Sequence, residues 1–135
     1  MSDRTDVLVY GATPAGIVAA VAAARLGASV RLVGPGSHVG GMLASGLNTA
    51  EAAHMLPESL SGMPLEFFRR SGAAYGSYGP LFHWESHVAE AVILDMLREA
   101  GVDVRSGGRV LRVVTGGGRV VGVDLASGEQ VQASN

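Results

Sequence analysis

The chain has 135 residues, of which 47% are apolar and 16% charged, and a formal net charge of −2. That is enough chain for one domain with a real core and too apolar for a disordered segment. It also lacks the basic excess of a nucleic-acid or anionic-membrane binder. The absence of cysteine excludes disulfides, thiolate metal sites and a cysteine nucleophile, and all ten basic residues are arginine.

Residues 1–6 are polar, with no basic segment leading a long apolar stretch. The longest apolar tract, residues 15–24, stops at Arg25 and is too short to cross a bilayer. A cytoplasmic protein with no membrane association is therefore expected. Residues 6–10 (DVLVY) read as a buried parallel strand, and residues 11–16 (GATPAG) as a tight turn. Pro14 is able to begin a helix, because its missing N–H costs nothing in a first turn. Residues 17–26 are Ala-rich and helical, Gly27 terminates them, and residues 29–33 (SVRLV) form a second buried strand. Strand, glycine turn, helix and strand make a βαβ unit with a right-handed crossover.

A loop rich in glycine follows over residues 34–42, and residues 43–60 show no period. Residues 64–70 (PLEFFRR) predict a short helix and residues 71–80 a Gly/Tyr/Ser-rich connection. Residues 86–100 predict an amphipathic helix with Val88, Ala91, Val92 and Met96 inward, Ser86 as its cap, Glu90 in its first turn and Gly101 as its stop. A third parallel strand is expected at residues 102–105. Three β-runs, at residues 109–114, 119–125 and 130–133, are separated by the hairpin signals TGGG and SGE. The expected architecture is α/β: a Rossmann-like parallel sheet with an antiparallel meander at its C-terminal end. Its parts are a βαβ unit and glycine loop (1–42), an irregular insertion (43–84), a helix and third strand (85–106) and the meander (108–133).

The chemistry sits in the glycine turn. A dinucleotide pyrophosphate needs a backbone tight enough to bring it onto a helix N-terminus, where free N–H groups and the helix dipole meet its charge. The usual pattern is G-x-G-x-x-G. Here Gly11 makes the turn, Gly16 allows close helix–strand packing, Thr13 stands at the middle glycine, and Pro14 and Ala15 open the helix. The acidic residue that should end the second strand and hold a ribose is absent: Gly34 is there, and no Asp or Glu lies between Asp6 and Glu51. Ribose contacts are left to backbone groups, Ser37 or His38.

Four segments, DVLVYGATPAGIVAAVAAARLGASVRLV, HVGGMLASGL, ESHVAEAVILDMLREAGVDV and RVLRVVTGGGRVVGVDL, together resemble the N-terminal part of the FAD-dependent oxidoreductase family with a glutathione-reductase-type flavin domain. The resemblance implies that the turn holds the FAD pyrophosphate. It implies that Gly40 and Gly41, with Met42, approach the cofactor through their backbone, and that Val110 touches adenine through its main chain. It also implies a small-molecule substrate and two-electron chemistry carried by the flavin. In that family a further strand returns to the sheet beyond the position of Asn135. An open edge on the first strand is then expected, consistent with a fragment or with a partner chain that completes the sheet.

Two other readings stay open. An NAD(P)-binding module shares the βαβ turn, and Arg31 is the one nearby cation for a 2′-phosphate, though it sits mid-strand. A non-catalytic remnant is the other. No catalytic residue is assigned. His83 and His87 flank Glu85 in HWESH, which is not the HExxH of a zinc helix, and no metal site is expected. Arg69 and Arg70 are read as a solvated helix end. Tyr75, Tyr78 and Trp84 are read as packing beneath a loop, and Ser45 and Ser61 lack the partners of a nucleophile.

Overall fold

The computed structural model describes residues 4–46, 54 and 59–134, so residues 1–3 and most of the aperiodic stretch expected at 43–60 lie outside the described residues. The elements in chain order are β1 (Arg4–Thr5), β2 (Val7–Tyr10), α1 (Pro14–Arg25), β3 (Val30–Val33), a short 3-10 turn (Gly41–Leu43), α2 (Gly62–Ala74), α3 (Ser86–Ala100), β4 (Asp103–Arg105), β5 (Val110–Gly116), β6 (Arg119–Leu125) and β7 (Gln130–Ala133).

Two sheets form. The parallel sheet has the order β2-β3-β4, and the second sheet the order β1-β7-β6-β5. In the parallel sheet Val7 pairs with Val30 and Tyr10 with Val33, while Arg31 pairs with Asp103. The second sheet is the expected antiparallel meander, with Val123 opposite both Val113 and Val131. It gains an unexpected parallel strand, because Arg4 and Thr5 pair with Gln132 and Ala133. The chain crosses from one sheet to the other at Asp6. There the Ser29 N–H and hydroxyl both donate to the Asp6 carboxylate (2.8 and 2.6 Å), and the Thr5 hydroxyl donates to the Ser29 carbonyl (2.6 Å).

Side-chain alternation gives the parallel sheet two covered faces. Val30 and Leu32 join Ile17, Ala20 and Val21 of α1 and Ile93, Met96 and Leu97 of α3 in the larger core. Val33, with Leu8 beside it, packs on Val123, Leu125 and Val131 of the meander in the smaller one. Arg31 lies between the sheets, 8% exposed, with its Nε on Asp103 (2.8 Å) and its guanidinium 3.8 Å from Glu129.

The helices depart from their expected bounds for physical reasons. α1 starts at Pro14 rather than residue 17, because Thr13 is an extended N-cap and proline occupies the first turn. α2 continues four residues past Arg70. Buried Gly72 lets the Gly79 carbonyl approach to where a Cβ would stand 2.0 Å from it, so a residue of poor helix propensity is held by packing. α3 has the expected span, but its cap is Glu85, with no side-chain hydrogen bond, and Ser86 is its first residue. Its buried stripe is Ala89, Val92, Ile93, Met96 and Leu97, and the expected inward Ala91 is exposed.

Arg70 is not a solvated helix end. It forks onto Glu99 of α3 (2.8 and 2.7 Å) and reaches Glu66, which also takes a bidentate contact from Arg25 of α1 (2.7 and 2.8 Å). The chain of charges ties all three helices, and Arg69 stays exposed. Trp84 is buried as expected, its indole N–H donating to the Leu43 carbonyl (2.9 Å) and its ring edge-on to Phe67 (5.2 Å, 87°). The Tyr75 hydroxyl accepts the Glu85 N–H (2.9 Å), whereas Tyr78 is fully exposed.

Candidate functional site

Three loops meet at the C-terminal ends of β2, β3 and β4, where open α/β sheets place their ligands. The first is the glycine turn. Gly11 has a positive φ of 114°, a conformation that disfavours any residue with a Cβ, and its N–H donates to the Val33 carbonyl (2.8 Å). A Cβ on Gly16 would stand 2.0 Å from the Gly11 carbonyl oxygen, so the helix presses on the turn only because residue 16 is glycine.

Beyond this contact the first backbone bond of α1 runs from the Ile17 N–H to the Thr13 carbonyl (2.9 Å). The Gly16 N–H makes only a long contact to the Thr13 hydroxyl (3.4 Å), and Pro14 has no N–H. Thr13 and Ala15 are exposed. The helix therefore offers its Ala15 and Gly16 donors, and the positive end of its dipole, to the space above the turn.

The second loop, residues 34–42, lies along the turn. The Gly40 N–H donates to the Ala12 carbonyl (2.8 Å), and Gly41 packs so closely that a Cβ there would be 3.2 Å from Pro14 Cδ and 3.4 Å from Thr13 Cα. Gly40 and Gly41 both have positive φ, 111° and 51°. Met42 is 60% exposed. Gly34 is buried, and a Cβ on it would stand 2.9 Å from the Ala12 methyl. The absent acid is thus matched by Ala12: a side chain at 34 requires that methyl to move.

The third loop, residues 105–109, is zipped to the second. The Gly34 N–H donates to Arg105 O (2.9 Å), Gly108 N–H to Gly34 O (2.9 Å) and Gly107 N–H to Gly36 O (2.8 Å). Val110 begins β5 immediately afterwards, half-buried against the smaller core. Gly11, Thr13, Pro14, Ala15, Gly16, Gly34, Gly40 and Gly41 are thereby gathered in one region, with Val110 at its border. Ser37 and His38 are exposed on the outer limb of the second loop.

The carboxylate of Glu90, on α3, also reaches this region. Glu90 belongs to no cap; its carboxylate accepts the Val39 N–H (3.0 Å) and meets His38 Nδ1 (3.0 Å). Partial burial pushes the Glu90 carboxyl up, but the Val39 N–H and His38 outweigh it and hold the group below the ordinary carboxylate value. Its only sequence signal is a charge bordering the apolar stripe of α3, three residues before Ile93.

Other candidates fall outside the region. Arg31 is committed to Asp103 between the sheets. His83 and His87 are exposed, and among the described residues no cluster of three or more His, Cys, Asp or Glu could hold a metal. An apolar cavity of about 220 Å³ behind the turn, lined by Pro14, Ile17, Val18, Leu43, Phe67 and Met96 among others, has no group suited to a phosphate. No described helix is long and apolar enough to cross a membrane.

The family of FAD dependent oxidoreductases matches residues 6–134, and the chain belongs to it. Solved structures share the fold at low identity. The myxobacterial chondrochloren halogenase CndH, a variant of FAD-dependent halogenases, superposes with a TM-score of 0.69 at 19% identity, over 98% of this chain and 36% of its own. The thioredoxin reductase of T. acidophilum gives 0.67 at 18% identity, over 98% and 34%. A ferredoxin reductase from Rhodopseudomonas palustris gives 0.55 at 20%, over 96% and 22%. The chain thus spans between about a fifth and a little over a third of these three proteins. No curated protein matches it by sequence.

Proposed function

We propose that this chain is the FAD-binding part of a flavin-dependent oxidoreductase acting on a small molecule. The observation that carries this reading is the junction of turn and glycine-pair loop. The donors of α1 stay free of intrahelical bonds, and Gly41 brings bare backbone within van der Waals reach of Thr13 and Pro14. The glycines at 11, 16, 40 and 41 let the turn, the helix and the second loop close on one another, and this leaves bare backbone and free N–H groups on the side where a pyrophosphate would sit.

In this reading Gly11, Thr13, Pro14, Ala15 and Gly16 hold the pyrophosphate. Gly40, Gly41 and Met42 flank the ribityl side, and Gly34, Ser37, His38 and Val110 border the adenosine. The domain parts are those drawn from the sequence, with the insertion at 43–84 and the meander at 108–133. When bound, FAD supplies two-electron redox chemistry, and the protein's share is to bind it, orient it and exclude competing reactions.

Two features bear on the alternatives. Arg31 is buried against Asp103, so that arginine is not presented to an NADP 2′-phosphate. Among the described residues β2 pairs with one strand only, and its residues are half-buried or exposed where those of β3 are all buried. That edge suits a further strand, from a continuation of the protein or from a partner chain.

The test is the visible spectrum of the purified chain after incubation with FAD and removal of free cofactor. Retained absorbance at about 450 nm, a property of bound oxidised flavin, is expected. A colourless protein that stays folded would overturn the reading.

A further inference from the structure

We infer that Glu90 is the positioning residue that holds the glycine-pair loop against the turn in a cofactor-ready place, an inference that rests on the flavin reading above. Between Gly34 and Gly40 the outer limb is thinly anchored. Pro35, Gly36, Ser37 and His38 are exposed, and the backbone bonds of the loop are those at Gly34, Gly36 and Gly40. Val39, by contrast, is only 3% exposed, and its N–H is taken by the Glu90 carboxylate (3.0 Å). Removing that acceptor leaves a buried donor unpaired, the costly side of the hydrogen-bond balance.

The same carboxylate reaches His38 Nδ1 with both oxygens (3.2 and 3.0 Å), so two successive residues are gripped by one side chain. Glu90 is itself fixed, since its neighbours Ala89, Val92 and Ile93 are in the core. Ile93 adds a floor: a Cβ on Gly40 would be 2.9 Å from its Cδ1. The loop is therefore referenced to the core through α3. Gly40 is bonded to Ala12, and Gly41 lies on Thr13 and Pro14, so a displacement at Val39 moves the backbone that faces the turn.

The experiment uses the 135-residue chain with Glu90→Ala, Glu90→Gln and, as a control elsewhere on α3, Glu99→Gln, whose partner is Arg70. Amide hydrogen exchange is followed without cofactor, and FAD affinity by quenching of flavin fluorescence. Glu90→Ala is expected to speed exchange at Val39 and weaken FAD binding, each by about tenfold, as for loss of a hydrogen bond to a charged group. Exchange at core Leu32 should hold. Glu90→Gln keeps a carbonyl oxygen for the Val39 N–H and should recover most of both effects. Glu99→Gln should leave both unchanged. If the alanine variant does not fold, Glu90→Asp, whose shorter side chain withdraws the carboxylate, takes its place with the same expectations.

Unmoved exchange at Val39, or wild-type FAD affinity in a variant that has lost the contact, overturns the role of Glu90. Failure of the unsubstituted chain to bind FAD overturns the flavin reading itself. The two failures are distinct, because the first requires a parent chain that binds.

Discussion

Replacing Gly16 by alanine isolates the close approach on which the turn depends. The new Cβ would stand 2.0 Å from the backbone oxygen of Gly11, so turn and helix must separate by about 1 Å to reach even the tightest contact real proteins show. Overpacking of this kind costs about 3 kcal/mol, and the better helix propensity of alanine returns about 1 kcal/mol, leaving a net loss of about 2 kcal/mol. For a chain of 135 residues that is a fall in Tm of about 7 °C, read by circular dichroism.

Stability alone does not identify a binding turn, and the protein carries its own control. A Cβ on Gly72 would also stand 2.0 Å from a carbonyl oxygen, that of Gly79, on a helix away from the three loops. Gly72→Ala should lose a similar amount of stability yet bind FAD as the parent does at a temperature where both are folded. Gly16→Ala should lose about tenfold or more in affinity, because the displaced groups include the α1 donors. A Gly16→Ala variant as stable as the parent, or equal weakening of FAD binding in the two variants, would refute this role for the turn.

Two more outcomes follow from the geometry. Thr13→Gly should tighten FAD binding by a few-fold in the same titration. It removes a Cβ from the face presented to the pyrophosphate, while glycine serves as an N-cap at a cost of about 0.5 kcal/mol or less. The second concerns acid. The Arg25 hydrogen bond, against the opposing effect of partial burial and with help from Arg70, holds the Glu66 carboxyl below its ordinary value of 4.5. A depressed folded value means stabilisation that is present above the ordinary value and lost as pH falls through the folded one. Tm should therefore drop more steeply below about pH 4.5 in the parent than in Glu66→Gln, which starts lower and lacks this titration; parallel curves would refute the assignment.

The parts of the molecule that could be read before folding are those set by near neighbours in the chain. Gly11, Thr13, Pro14 and Gly16 lie within six residues of one another, and each requirement there is local: a positive φ, an N-cap, a missing N–H, a missing Cβ. The span of α3 and the hairpin turns of the meander follow in the same way from apolar period and backbone-permissive residues.

The remainder depends on contacts between residues far apart, for which local pattern carries no signal. Arg4 and Thr5 are a strand only because Gln132 and Ala133 lie beside them. Ala91 and Ala89 are indistinguishable by type, and only the docking of α3 on the parallel sheet buries one and exposes the other. Glu90 has the sequence of a first-turn acid, but its partners are His38 and Val39, more than fifty residues away. Arg70 resembles a solvated helix end until Glu66 and Glu99 converge on it. A side chain's chemistry is written in the chain, but which groups it meets depends on where the packed layers bring distant backbone together.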